Sequence, residues 1–91
     1  MKRRLQQQHD GLVDYVIPAI KMIQEGEKHT VVFHKLANKL NVSSTTVNSH
    51  CTRDIGLESV KDFNGLINNG MINEHLKKRF PHRQREIDLY L

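Results

Sequence analysis

The sequence predicts a single small all-α domain, and three observations support this fold class. The chain has 91 residues, of which 37% are hydrophobic and 26% charged, and this is enough for one hydrophobic core but not for two. Apolar residues recur at three- and four-residue intervals, as on a helix face, and no segment alternates as a strand does. Capping residues, glycines and prolines lie at the ends of these apolar segments, where helices begin and end. We therefore expect one domain over residues 1–91, with a three-helix core at 11–56 and further helices at 57–91.

The first predicted helix follows Gly11 and carries an apolar stripe at helical spacing, formed by Leu12, Val13, Val16, Ile17, Ile20 and Ile23. Pro18 lies within this stripe and has no amide N–H. Either the regular helix therefore begins near Asp14 or Tyr15, or the helix is kinked at the proline. Gly26 is suited to the left-handed position that follows a helix, so the first helix is expected to end just before it.

Two more helices complete the predicted core. The second runs from Thr30, a candidate N-cap, to Leu40. The third begins at Ser43 or Ser44, because a serine hydroxyl at the N-cap can accept a hydrogen bond from the first turn. It is expected to end near Asp54, just before a glycine.

The remaining third of the chain predicts shorter helices. Ser59 begins a fourth helix at the spacing of a capping box, with Asp62 in place of glutamate, and Gly70 follows its end. Asn73 is a candidate cap for a short fifth helix. Pro81 is suited to a first helical turn and begins the last segment.

Residues 33–51 carry the features of a helix-turn-helix. Two helices that cross closely need a small residue at the crossing, which Ala37 supplies, and a turn residue that tolerates a positive φ, which Asn41 supplies. The apolar residues expected to hold the two helices together are Leu36, Leu40, Val42 and Val47. The segment 30–54 resembles the helix-turn-helix superfamily of DNA-binding proteins, and Thr46–His50 is similar to the start of the recognition helix in LuxR-type response regulators.

The resemblance implies that the third helix enters the major groove of double-stranded DNA, and its residue types agree with that role. Placing Val47 and Cys51 inward, at about 100° per residue, turns a set of small polar side chains outward. Hydroxyl and amide groups can contact base edges and phosphates, and asparagine can pair with adenine. The predicted DNA-binding residues are Ser44, Thr45, Thr46, Asn48, Ser49, Thr52 and Arg53, with Lys35 and Lys39 of the second helix and His50 as phosphate contacts.

The charge distribution is compatible with a polyanionic partner. The chain has 14 Lys and Arg against 10 Asp and Glu, a net charge of +4. Between residues 29 and 57 the only acid is Asp54, against Lys35, Lys39 and Arg53. The basic run at Lys77–Arg79, with Arg83 and Arg85, either contacts phosphate or forms a solvated helix face. Because one short helix reads few base pairs, a homodimer through apolar residues that follow the three-helix core is also expected, although some of them must cover the monomer's own core. The candidate residues are Phe63, Leu66, Ile67, Leu76, Phe80, Ile87 and Tyr90.

Other function classes have little support in the sequence. No glycine-rich phosphate loop, nucleophile elbow or carboxylate cluster is present, so we do not expect an enzyme or a small-molecule substrate. No two of the six histidines have the i, i+4 spacing of a zinc-binding helix, and the single cysteine is Cys51, so neither a metal nor another cofactor is expected. No apolar run approaches the roughly 20 residues that span a bilayer, so a cytoplasmic protein without membrane contact is expected.

The sequence therefore favours a bacterial or phage transcriptional regulator that binds double-stranded DNA. Two alternatives stay open, because a fold does not by itself determine function. In the first alternative, the chain is the DNA-binding domain of a larger DNA-processing enzyme. In the second, it is a helical module that binds another protein.

Overall fold

The computed structural model describes residues 10–91, and within them six α-helices and no strand are found. The α-helices are α1 Ile17–Gln24, α2 His29–Leu40, α3 Ser44–Cys51, α4 Val60–Asn68, α5 Ile72–Arg79 and α6 Gln84–Tyr90. A π-helical segment, Gly11–Val16, precedes α1, and two 3-10 turns, Arg53–Ile55 and Pro81–Arg83, follow α3 and α5. The predicted all-α class is confirmed.

One hydrophobic core joins all six helices. Each α-helix contributes at least one buried apolar side chain, and those of Ile20, Val32, Val47, Phe63, Leu76 and Ile87 are 0% exposed. Residues 57–91 thus cover the same core as residues 11–56. None of the helices in residues 10–91 combines the length and apolar character needed to cross a membrane.

The first helical region of the described residues differs from both expectations for Pro18. The amide N–H of Ile17 bonds to the carbonyl of Leu12, five residues back, so residues 11–16 form a wide helical turn. Asp10 caps this turn by accepting hydrogen bonds from the N–H groups of Leu12 and Val13, at 2.9 and 3.2 Å. The regular helix begins only at Ile17. Pro18 then occupies its second position, where a missing N–H costs little.

The connection between α2 and α3 has the predicted geometry. Asn41 adopts the left-handed conformation, with φ 58° and ψ 48°, and the N–H of Val42 donates to the carbonyl of Ala37 at 2.9 Å. Ser43 caps α3 by accepting a hydrogen bond from the N–H of Thr46 at 3.2 Å. Hydrogen bonds from the three connecting residues therefore satisfy backbone groups at the end of α2 and at the start of α3.

Three predicted helix ends are wrong. The N-cap of α2 is Lys28, whose side chain makes no capping bond, and not Thr30. The N-cap of α5 is Met71, again without a side-chain bond, and not Asn73. Helix α3 ends at Cys51, because the chain then tightens into a 3-10 turn. Neither Lys28 nor Met71 has a capping side chain, so the sequence contained no local signal for these two starts.

The C-terminal helices are tied back to the start of the domain. Ser59 caps α4 as predicted, accepting a hydrogen bond from the N–H of Asp62 at 3.4 Å. Arg83 contacts Asp10 Oδ2 through its Nη2 and Glu86 Oε1 through its Nε, both at 2.6 Å. Its guanidinium therefore joins the first capping residue of the described chain to α6.

Candidate nucleic-acid interface

Helix α3 is short and packs against α2, α4 and the π-helical segment. Its apolar side chains Val47 and Cys51 are 0% exposed, as the angular placement predicts. Thr45 is the most open of its polar residues, while Ser44, Asn48 and others are half-buried. The helix thus presents small side chains at a surface shaped by its neighbours.

A groove of about 200 Å³ lies between α3 and the first half of α2, with one residue of α4 at its edge. We call it the α2–α3 groove; its lining residues are His29, Thr30, Phe33, His34, Ser44, Thr45, Asn48 and Val60. Three predicted DNA-binding residues, Ser44, Thr45 and Asn48, therefore share one concave surface. None of these described lining residues carries a carboxylate, so the surface does not repel a polyanion.

The prediction that Thr52 lies on the outer face of the third helix is wrong. Its side chain is only 3% exposed. At φ −124° and ψ −86° the residue leaves the helical path, so a count of about 100° per residue no longer places it. The backbone N–H of Thr52 donates to the carbonyl oxygen of Ser49 at 3.3 Å. In a regular α-helix the same N–H would donate to the carbonyl oxygen of Asn48.

The Thr52 hydroxyl compensates for that displaced bond. It donates to the carbonyl oxygen of Asn48 at 2.8 Å and lies 3.3 Å from the side-chain oxygen of the same residue. The Asn48 amide is thereby oriented with its oxygen toward the buried hydroxyl. Its Nδ2 group is the donor left for a partner in the α2–α3 groove.

Other predicted contacts lie outside the groove. Thr46 is half-buried, and its hydroxyl is 3.0 Å from Ser43 Oγ in the cap of α3. Ser49 is half-buried, and Arg53 is exposed on the 3-10 turn after α3. His50 faces the π-helical segment, where its ring stacks on a tyrosine with centroids 4.2 Å apart. His50 therefore lies outside the α2–α3 groove, and its role as a phosphate contact stays a prediction.

The two predicted lysine contacts on α2 differ in their environment. Lys35 forms an ion pair with Glu27, 2.5 Å from Nζ to Oε1, so part of its charge is already neutralised. Lys39 is exposed and has no ion pair within residues 10–91. Lys39 and Arg53 are thus the more available cations around α3.

Sequence reasoning missed the contribution of α2 to the groove. Thr30 and His34 are exposed and lie one helical turn apart on its edge. His29 is held in place by Asn64, with Nδ1 2.9 Å from Asn64 Nδ2. The i, i+4 spacing of Thr30 and His34 indicates a shared helix face, but only the packing of α2 on α3 places that face beside Asn48.

The cysteine of α3 is structural. Burial raises the pKa of the Cys51 thiol to about 12, so the thiol stays protonated at neutral pH. A thiol must be deprotonated to bind a metal or to react as a nucleophile. Within residues 10–91 no group of three or more His, Cys, Asp and Glu side chains is arranged to hold a metal ion.

Comparison of the chain with models of protein families, with characterised proteins and with solved structures finds no match. The fold defines a small all-helical domain. Its function is therefore inferred from α2, α3 and the groove between them.

Proposed function

We propose that the protein binds double-stranded DNA through α3 and the α2–α3 groove and acts as a transcriptional regulator of the bacterial or phage type. One observation carries the proposal. Two helices joined by a three-residue turn form a concave surface in which uncharged hydrogen-bonding groups of both helices meet and no carboxylate intervenes. Such a surface suits base edges, whereas a helix face that only needs solvation usually carries Lys and Glu.

Asn48 is the proposed reading residue. Its Nδ2 is free to donate to acceptors in the major groove, which purines present at N7 and thymine at O4. Its side-chain oxygen lies 3.3 Å from the Thr52 hydroxyl, whose proton is donated to the Asn48 backbone carbonyl, so two-point pairing with adenine remains chemically available. Thr45, exposed one turn earlier on α3, can supplement this contact through its hydroxyl.

Backbone phosphates are the proposed partners of Lys39 and Arg53. Both side chains are exposed, and neither has an acidic partner within residues 10–91. Phosphate contacts position a protein on the duplex and supply most of the salt-dependent affinity without carrying sequence information. The mechanism is occupancy of a site and requires no chemical step.

A selection from a random duplex library, followed by affinity measurements on the selected site, tests the proposal. We expect Asn48→Ala to relax preference at one base pair, by about 1–3 kcal/mol. Lys39→Ala should weaken all sequences alike and reduce the slope of log affinity against log salt by about one. Asn69→Ala, on an exposed asparagine at the end of α4, is the matched control and should behave as wild type.

Two results would contradict the proposal. If Asn48→Ala leaves affinity and sequence preference unchanged, α3 is not the reading element. If the wild-type protein binds no duplex at low salt, the helical protein-interaction module becomes the favoured function.

The predicted homodimer remains part of the proposal. Four of the predicted interface residues, Phe63, Ile67, Leu76 and Ile87, are buried in the core and cannot form it. Tyr90 is 39% exposed and its neighbour Leu89 is 79% exposed, so apolar surface is available on α6. Sedimentation at high micromolar concentration, with and without duplex, measures the stoichiometry. A strict monomer on an asymmetric site would favour a domain of a larger DNA-processing enzyme.

A further inference from the structure

Helix α5 is attached to the turn that follows α3. The Nε of Arg79 donates to the carbonyl oxygen of Asp54 at 3.3 Å, and its guanidinium carbon lies 3.9 Å from the place where Gly56 would carry a Cβ. One helical turn earlier, His75 Nε2 lies 2.6 Å from the carbonyl oxygen of Ile55. Two side chains of α5 therefore hold the same short turn, and the stem of Arg79 is fixed against it.

The basic residues of the C-terminal helices are not equivalent. Lys77 forms an ion pair with Asp88, 2.5 Å from Nζ to Oδ1, and Arg83 is held by two carboxylates. Arg79 is exposed and has no carboxylate partner within residues 10–91. The Asp54 carboxylate on the same turn lies 2.7 Å from His50 Nδ1, so it forms no ion pair with Arg79, whose two Nη groups remain as donors beside the turn that carries Arg53.

We propose that Arg79 is a further phosphate contact, beside Lys39 and Arg53, so that α5 belongs to the DNA interface together with α2 and α3. The inference rests on the proposed function and extends it to the C-terminal helices. A guanidinium matches two phosphate oxygens with parallel N–H donors. Because Arg79 already donates its Nε to the Asp54 carbonyl, less side-chain freedom is lost when the Nη groups bind.

The position of Arg79 favours a phosphate contact over a merely solvated side chain. Arg79 and Arg53 lie on two different elements that meet at the C-terminal end of α3. Each is exposed. A duplex that lies along α3 can therefore meet one cation from the 3-10 turn and a second from α5.

The test compares Arg79→Gln with Arg85→Gln, using a random-sequence duplex and a series of salt concentrations. Glutamine keeps an N–H donor near the position of the arginine Nε and removes the charge. Arg85 is an exposed residue of α6, so both variants change the net charge equally. We expect the slope of log affinity against log salt to fall by about one for Arg79→Gln and to stay at the wild-type value for Arg85→Gln.

Arg79→Lys keeps the charge but removes the fork, and thermal melting checks the folding of all three variants. We expect the lysine variant to retain the wild-type salt slope, including in the case that Arg79→Gln does not fold. Equal slopes for wild type and Arg79→Gln, or equal losses in Arg79→Gln and Arg85→Gln, would overturn the inference and leave the proposed function standing. A wild-type protein that binds no duplex would overturn the proposed function itself.

Discussion

Replacing Thr52 by valine tests the assignment of a partly buried hydrogen bond at the end of α3. The Thr52 side chain is 3% exposed, and its hydroxyl donates to the Asn48 carbonyl at 2.8 Å. The backbone N–H of Thr52 bonds to Ser49 instead. Valine has nearly the same shape as threonine but cannot donate, so the substitution removes the hydroxyl partner of that carbonyl.

The expected loss follows from the cost of an unsatisfied buried polar group. Leaving a buried acceptor without a donor costs about 1–3 kcal/mol, which for a domain of this size lowers the melting temperature by roughly 4–24 °C. Thr52→Ser is the matched control, because it keeps the hydroxyl and removes one methyl group. Loss of a buried methyl costs about 1 kcal/mol.

Urea denaturation of both variants gives the free energies of unfolding. We expect Thr52→Val to be less stable than Thr52→Ser. If burial of apolar surface alone determined stability at this position, the order would be reversed, because valine buries more apolar surface than serine. A valine variant as stable as wild type would refute the assigned hydrogen bond.

Two further predictions concern the helix crossing and the first capping residue. Ala37 is 6% exposed, so Ala37→Leu should overpack α2 against α3 and lower the free energy of unfolding by about 1–3 kcal/mol, and an unchanged urea midpoint would show that the site has room. The Arg83 guanidinium lowers the pKa of Asp10, so this ion pair stabilises the fold above the ordinary carboxyl pKa and is lost as the pH falls through the lower pKa of the folded state. Asp10→Asn keeps a capping oxygen and should therefore lose less melting temperature than wild type between pH 5 and pH 2; equal losses would contradict this.

The sequence alone determined the features that depend on nearby residues. The left-handed turn at Asn41 and the caps at Ser43 and Ser59 involve contacts within a few positions, and their residue types are selected by local backbone conformation. The helical period and the inward placement of Val47 follow for the same reason. Such local signals can be recognised directly in the amino-acid sequence.

The shape of the candidate site was decided only by tertiary structure. Arg79 meets Asp54 across 25 positions, and the side of α2 that carries Thr30 and His34 reaches α3 through packing. Thr52 is buried because the chain leaves the α-helical path one residue after Cys51, and an angular count cannot anticipate that departure. Periodicity states which face of a helix is apolar. Which polar faces meet depends on how the helices share one core, and this is a property of the whole chain.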